Sequence, residues 1–254
     1  MAGRVFADPP VLCGHRGMGK GEVDGHRENT LGSFLAAVEC GLDWLEVDVR
    51  TTSDDVLVTA HYPTLPDGRF FSDVAYADSG DLLRVTDLLD ALPEHVGVDL
   101  DIKSSAEDAL RERDATTAAA VGRLAATEVR RRPVLMTSFD ASAVLIAREH
   151  APAVPGGLLT WVRFPLRKAI PAARHLGLQA VAAHVGSFSV NDTDTAPVHR
   201  EAAWSVDVAH RAGLEVLAWC PNPDEMPVLL EAGVDCFVVN DVATAVKRLG
   251  ELRS

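Results

Sequence analysis

Four acidic residues stand at a spacing of two on a pair of short apolar segments. Glu46 and Asp48 share one face of residues 44–49, with Leu45, Val47 and Val49 on the other. Asp99, Asp101 and Lys103 share one face of residues 96–103, opposite Val98, Leu100 and Ile102. Side chains alternate along a strand, so each set points one way. A carboxylate turned into a protein interior needs a cation or hydrogen-bond donors. An ion-pair lattice with Arg50 and Lys103 would satisfy any one pair of acids. Four acids against one lysine is an imbalance that a hard divalent cation with oxygen ligands corrects.

Two histidines end apolar segments of the same kind. His15 closes residues 11–15 and lies in Cys13-Gly14-His15-Arg16-Gly17, where glycines permit a tight turn and close approach of a ligand. Arg16 beside it suits planar, bidentate recognition of phosphate. His61 follows the run 56–60. Two strand-terminal imidazoles, an acidic cluster, an arginine and a lysine together describe metal-assisted phosphoryl chemistry with general acid–base catalysis. His26, in the pair His26-Arg27, is expected in an exposed loop, and His184 follows a strand near enough to reach the same end. Trp219 offers an apolar wall or a core ring, and Cys220 next to it has no base at motif spacing that would make it a nucleophile.

These groups need elements that bring them together. Strand-like segments at 11–15, 44–49, 96–103, 133–137, 155–160, 179–183, 215–219 and 236–239 alternate with helical patterns at 31–40, 82–92, 106–131, 141–149, 165–175, 199–212, 225–232 and 242–252. Strand-then-helix repetition implies parallel strands with right-handed crossovers. Eight units in 254 residues match a (β/α)8 TIM barrel as one domain, 1–254, with a short polar insertion at about 62–80 after the second strand. The competing open, doubly wound sheet fits less well, because no glycine-rich phosphate loop follows the first strand. Asn29-Thr30, Thr86-Asp87 and Asn222-Pro223 read as helix starts, and Gly41, Gly177, Gly213 and Gly233 as helix ends.

Composition narrows the function classes. The chain is 47% hydrophobic and 24% charged, with a formal net charge of −13. That field repels nucleic acid and anionic membranes. No apolar run approaches a membrane span, and the first ten residues carry no secretory h-region. Cys13, Cys40, Cys220 and Cys236 stand singly, as thiols do in a reducing compartment, so a cytoplasmic location is expected.

At this point the motifs resemble a known family. His15-Arg16-Gly17, Glu28-Asn29-Thr30, Ser33-Phe34, Gly41-Leu42-Asp43, Glu46-Val47-Asp48-Val49, Thr52-Ser53-Asp54 and His61 are similar in order and spacing to the glycerophosphodiester phosphodiesterase family. Asp99-Leu100-Asp101-Ile102-Lys103, Ser138-Phe139, Trp219-Cys220-Pro221-Asn222, Gly233-Val234-Asp235 and Asn240-Asp241 extend the resemblance to roughly residues 11–241. Three positions depart from the pattern: Asp101 stands where the family usually has glutamate, Tyr62-Pro63 follow His61 in place of an acid, and Cys220-Pro221 replace the common Thr-Val between Trp219 and Asn222.

The resemblance implies a TIM barrel that hydrolyses glycerophosphodiesters to glycerol 3-phosphate and an alcohol with Mg²⁺ or Ca²⁺. By position it makes His15 and His61 the acid–base pair and Glu46, Asp48 and Asp101 the metal ligands. Arg16 and Lys103 would meet the phosphate, Glu28 the metal or a substrate hydroxyl, and Trp219 the glycerol. The alternatives are a lysophospholipase D acting on lipid and a non-catalytic barrel that binds a phosphorylated ligand. The insertion carries one aromatic cluster, Phe70-Phe71 with Tyr76, and is too brief for an acyl-chain tunnel. Small water-soluble diesters are therefore the expected substrates.

Overall fold

The computed structural model describes residues 4–253; residues 1–3 and 254, the ends of the expected 1–254 domain, lie outside it. Eight parallel strands close into a barrel: β1 (Val11–His15), β4 (Trp44–Thr51), β6 (Gly97–Ile102), β7 (Val134–Ser138), β8 (Gly156–Leu159), β9 (Ala180–His184), β10 (Glu215–Trp219) and β11 (Cys236–Val239). Closure comes from β1, which pairs with β11 on one side and β4 on the other. The helices α1 (Leu31–Glu39), α2 (Val85–Ala91), α3 (Thr117–Glu128), α4 (Ala141–His150), α5 (Leu166–His175), α6 (Ala202–Arg211), α7 (Met226–Glu231) and α8 (Val242–Arg253) each follow a barrel strand. The remaining strands are accessory. β2 (Glu22–Val23) and β3 (His26–Arg27) form a small ribbon, and β5 (Leu57–Thr59) runs antiparallel along the far end of β4.

The alternation on each strand separates two apolar layers. Leu45, Val47, Val49, Val98, Leu100 and Ile102 face the helices and are at most 1% exposed. Inside the barrel, Cys13, Trp44, Leu135, Ala180, Leu217 and Cys236 form a second cluster near the N-terminal end of the strands. The Trp44 indole fills that end because Gly97 has no Cβ; one placed there would lie 2.6 Å from the ring. Phe6 closes the floor, its ring edge-on to Trp44 at 4.9 Å. Its segment is held by the Glu215 carboxylate, which accepts from the backbone N–H groups of Val5 and Phe6. Above this apolar floor the interior turns polar, and the functional groups lie there.

Three expectations change at the element level. The long helix expected at 106–131 is instead two short 3₁₀ turns, Ala106–Leu110 and Arg113–Ala115, followed by α3. Glu107 to Asp114 lack an apolar stripe, and Ser105 with Asp108 closes a capping box that turns the chain. Thr86-Asp87 does not cap α2, whose N-cap is Arg84, and Asn222 does not cap α7, which starts after Glu225. Thr30 and the four glycines act as expected. Thr30 accepts from Ser33 N, and Gly41, Gly177, Gly213 and Gly233 all adopt positive φ after their helices.

The insertion, residues 62–80, forms a short cap. Phe71 packs with Ala60, Leu65 and Val74 beneath it, whereas Phe70 is 48% exposed, so one ring of the pair anchors the cap. Replacing Glu215 by Ala should leave the two N–H groups of the floor segment unpaired. The expected loss is about 1–3 kcal/mol of unfolding free energy, measured as a lower urea midpoint; an unchanged midpoint would show that this carboxylate does not secure the floor.

Candidate active site

Register sets the acids in two adjacent rows. Glu46 lies beside Asp99 and Asp48 beside Asp101 across the β4–β6 pair, and His15 lies beside Glu46 across the β1–β4 pair. Among the described residues, Glu46, Asp48 and Asp101 are the one group of three metal-ligating side chains close enough to share an ion, with their ligand oxygens all within 4.8 Å of one another. All three are at most 5% exposed. Asp101, one methylene shorter than the family's usual glutamate, still reaches this group. Asp99, level with Glu46, stays outside it and accepts from Thr137 Oγ1 at 2.8 Å.

Two cations hold the acids. Lys103 Nζ lies 2.8 Å from Asp48 Oδ1 and also bonds Asp101. Arg16 sits 3.1 Å from Asp48 through Nε and donates from Nη1 to both Glu28 oxygens. The ion-pair lattice considered from sequence is thus present in part, but Arg50 is outside it and donates to the His61 carbonyl at 2.7 and 3.1 Å. The lattice does not satisfy the set. Glu46 Oε1 and Asp101 Oδ1 remain buried without a hydrogen-bond partner.

The titration of each acid follows its neighbours. Burial, then Asp48 and Asp101, pushes the Glu46 carboxyl well above the ordinary range. Asp101 moves up for the same first reason, against the pull of Lys103. Asp48 is buried as deeply, yet Lys103 and Arg16 overcome that burial and hold it low. Asp99 is pushed up to about 8 by burial, so it is protonated at neutral pH. A site that raises two of its own carboxylates is short of positive charge.

His15 is placed by a strained turn. Arg16 has a φ of 60°, and a Cβ on Gly14 would lie 2.3 Å from the Gly17 carbonyl oxygen. Arg16 N donates to the backbone and side chain of Glu46, which holds the turn against that strain. His15 Nδ1 lies 2.6 Å from Asn240 Oδ1, and its Nε2 lies 3.9 Å from Glu46 Oε2. Donation from Nδ1 to the amide oxygen leaves Nε2 as the acceptor on the metal-cluster side. Cys220, expected to have no base at motif spacing, lies with its Sγ 3.6 Å from the same Nδ1; burial pushes the thiol up, but the hydrogen bond and charge of His15 overcome it and lower its pKa.

His61 has a different support. Its ring meets Tyr62 edge-on at 4.7 Å, and its Nδ1 is buried without a partner. Packing against Tyr62 takes the place of the acid that usually follows. Burial lowers its pKa to about 4.

The structure brings His15, His61, Arg16, Lys103, Glu46, Asp101 and Trp219 to the walls of one cavity of about 200 Å³. Asp48 and Glu28 stand behind that wall, bonded to Arg16. His26 is in the β3 ribbon, half-buried and away from the cavity, where an exposed loop was expected. His184 backs Trp219 at 4.5 Å and does not line the cavity.

Three further residues carry site geometry that the motifs alone did not assign. Asn240 orients His15, Asn29 Nδ2 donates to Asp48 at 2.9 Å, and Trp161 lines the mouth. Their signal was position, since Asn240 directly follows β11 and Trp161 is the second residue after β8, where such sites lie. Asn29 does not share the expected helix cap, a role that Thr30 performs alone.

The model of the glycerophosphoryl diester phosphodiesterase family matches residues 15–244. The chain belongs to that family. A curated relative from Mycobacterium tuberculosis, named probable glycerophosphodiester phosphodiesterase 2, is 29% identical over 238 residues, covering 84% of this chain and 81% of its own. Two solved structures share the fold. The glycerophosphodiester phosphodiesterase of Thermotoga maritima aligns at a TM-score of 0.72 with 17% identity, covering 95% of this chain and 99% of its own. An Oleispira antarctica phosphodiesterase in complex with its product, sn-glycerol-3-phosphate, aligns at 0.74 with 20% identity over 95% and 97%. The expected family and barrel are therefore both found.

The low pKa of His61 is directly measurable. In the metal-free protein its imidazole should titrate with a midpoint near 4 and stay neutral above it, against an ordinary 6.5. NMR of the ring protons checks this, and a midpoint near 6.5 would contradict the burial argument.

Proposed function

We propose that this family member hydrolyses glycerophosphodiesters to sn-glycerol 3-phosphate and an alcohol, with a divalent cation, Mg²⁺ or Ca²⁺, and a histidine acid–base pair. The observation that carries the reading is the convergence of three buried carboxylates, two with unpartnered oxygens, between two strand-end imidazoles. The residues fit the metal: three hard oxygen ligands, two orphaned oxygens and raised carboxyl pKa values all ask for added positive charge. Glu46, Asp48 and Asp101 would hold it. A divalent ion there supplies charge to neutralise the diester and the developing negative charge on its oxygens.

The chain's own groups supply the rest. Lys103 has three donors, two of them spent on Asp48 and Asp101, and the third serves a phosphate oxygen. Arg16 keeps its Nη2 for the same use, while Glu28 fixes the other end of the guanidinium. His15, with Nδ1 committed to Asn240, takes the proton of the nucleophile at Nε2. That nucleophile is water, or the glycerol 2-hydroxyl, in which case the cyclic phosphate that forms is opened by water in a second step. His61 donates a proton to the leaving alkoxide. The bound phosphate anion beside it favours its protonated form, which burial alone disfavours. Trp219 Nε1, buried and unpartnered, is a donor for a glycerol hydroxyl.

The cavity size and cap favour small substrates, since about 200 Å³ holds a glycerol arm and no acyl chain. No helix among the described residues is long and apolar enough to cross a membrane, and we place the protein in the cytoplasm on the scattered free thiols.

Chelation should abolish diesterase activity, and Mg²⁺, Mn²⁺ or Ca²⁺ should restore it; full activity after thorough demetallation would reject the metal assignment. His15→Ala and His61→Ala should each lower kcat by about 10²–10⁴-fold, the usual worth of a positioned acid or base. His26→Ala should change it little, and the reverse order of effects would reassign the pair. In kcat/KM at one metal concentration, glycerophosphocholine should exceed lysophosphatidylcholine in vesicles, and the opposite order would promote the lipid-acting alternative.

A further inference from the structure

The two imidazoles of the site are supported differently. His15 Nδ1 is tied to Asn240, whereas His61 Nδ1 is buried without a partner. Edge-on packing against Tyr62 limits the tilt of the His61 ring but does not fix where its backbone stands. His61 also lies just beyond the strand that delivers it. The pairing of β5 with β4 ends at Ala60, whose N–H donates to the Asp48 carbonyl at 3.1 Å. The chain is tied again at Pro63, whose carbonyl accepts from the Phe71 N–H at 3.0 Å.

Between those ties the hold comes from Arg50. Alternation puts this residue on the face of β4 that carries Glu46 and Asp48. The sequence offers it as a partner for those acids, yet its guanidinium turns elsewhere. Its Nε and Nη2 both donate to the His61 carbonyl oxygen, at 3.1 and 2.7 Å. A planar fork that closes on one oxygen from two nitrogens fixes direction as well as distance. The peptide unit in its grip joins His61 to Tyr62. One guanidinium thus sets both the imidazole and the ring packed against it.

We propose that Arg50 is a positioning residue for the reaction, its two-point grip on the His61 carbonyl holding the imidazole where it meets the leaving alkoxide. It acts through His61, as Asn240 acts through His15. The proposal rests on the diesterase reading above, with His61 as the acid.

The test exploits the leaving group. Choline departs from glycerophosphocholine as an alkoxide that needs a proton. From 4-nitrophenyl glycerophosphate the nitrophenolate departs as a stable anion that needs none. Arg50→Lys keeps a positive charge beside the acids and removes the fork. Its kcat should fall about 10- to 100-fold on the choline diester, the cost of a misplaced acid, and stay within about threefold on the nitrophenyl diester. KM for both should stay within about threefold of the unaltered protein, because binding contacts are kept. Arg50→Gln, which also lacks the fork, should show the same selective loss. Equal losses on the two diesters, an unchanged kcat on the choline diester, or a loss confined to KM overturns the proposal.

His61→Ala tests the reading underneath. It should lose far more on the choline diester than on the nitrophenyl diester, and equal losses there would reject His61 as the acid. A further readout needs no turnover and judges the positioning by itself. In the metal-free protein, nuclear Overhauser cross-peaks between the His61 and Tyr62 ring protons should be strong, and they should weaken in Arg50→Lys and Arg50→Gln. Cross-peaks unchanged in both variants would overturn the proposal even if no diester were hydrolysed.

Discussion

Three carboxylates gathered within a barrel interior are the constraint on which the rest of the site depends. Each would be costly there without compensation, because the desolvation of a buried charge is repaid only by close partners. The chain supplies two, Arg16 and Lys103, and both are held within ion-pair distance of Asp48. The supply is incomplete. Glu46 and Asp101 each keep a bare oxygen and a raised pKa. The same shortage of positive charge that burdens the fold suits the site to a divalent cation and an anionic phosphate.

The barrel tolerates this because its interior is divided along the strand direction. Near the strand N-termini it is packed with apolar groups, closed by Trp44 and Phe6 and held by Glu215. The polar layers lie at the opposite end, where loops and solvent can reach them. The loops then serve the site directly. The β1–α1 turn carries Arg16 in a left-handed conformation and donates its backbone N–H to Glu46. The residue after β11, Asn240, sets the tautomer of His15. The residues after β8 and within the cap supply aromatic walls. Strength is needed in the strands and variation is permitted in the loops, as this architecture generally arranges.

Most of the arrangement was legible in the residues. Alternation on residues 44–49 and 96–103 puts the acids on one face, since a strand has a period of two. Gly14 and Gly17 marked a tight turn, and eight strand–helix units marked a closed barrel. The errors fell where local signals were ambiguous. Charged residues 107–114 imitated a helix through propensity, but without an apolar stripe they had nothing to pack and became 3₁₀ turns. The Asn-Pro ahead of α7 imitated a cap that the helix does not use.

The sequence by itself determined the fold class, the acidic face, the two strand-end imidazoles and the family, because each is written in spacing or short motif. Tertiary structure alone decided three other matters. It set which acids share an ion-sized space: register pairs Asp99 with Glu46 and Asp101 with Asp48, yet Glu46, Asp48 and Asp101 converge while Asp99 turns to Thr137, a difference that no alternation pattern contains. It gave His15 a partner 225 positions away in Asn240. It also stacked Trp161 on Phe139 at the mouth, residues from different strand ends whose rings meet only when the barrel closes. Spacing governs neighbours along one strand, whereas contacts between distant strands follow from closure and register, and these belong to the whole chain.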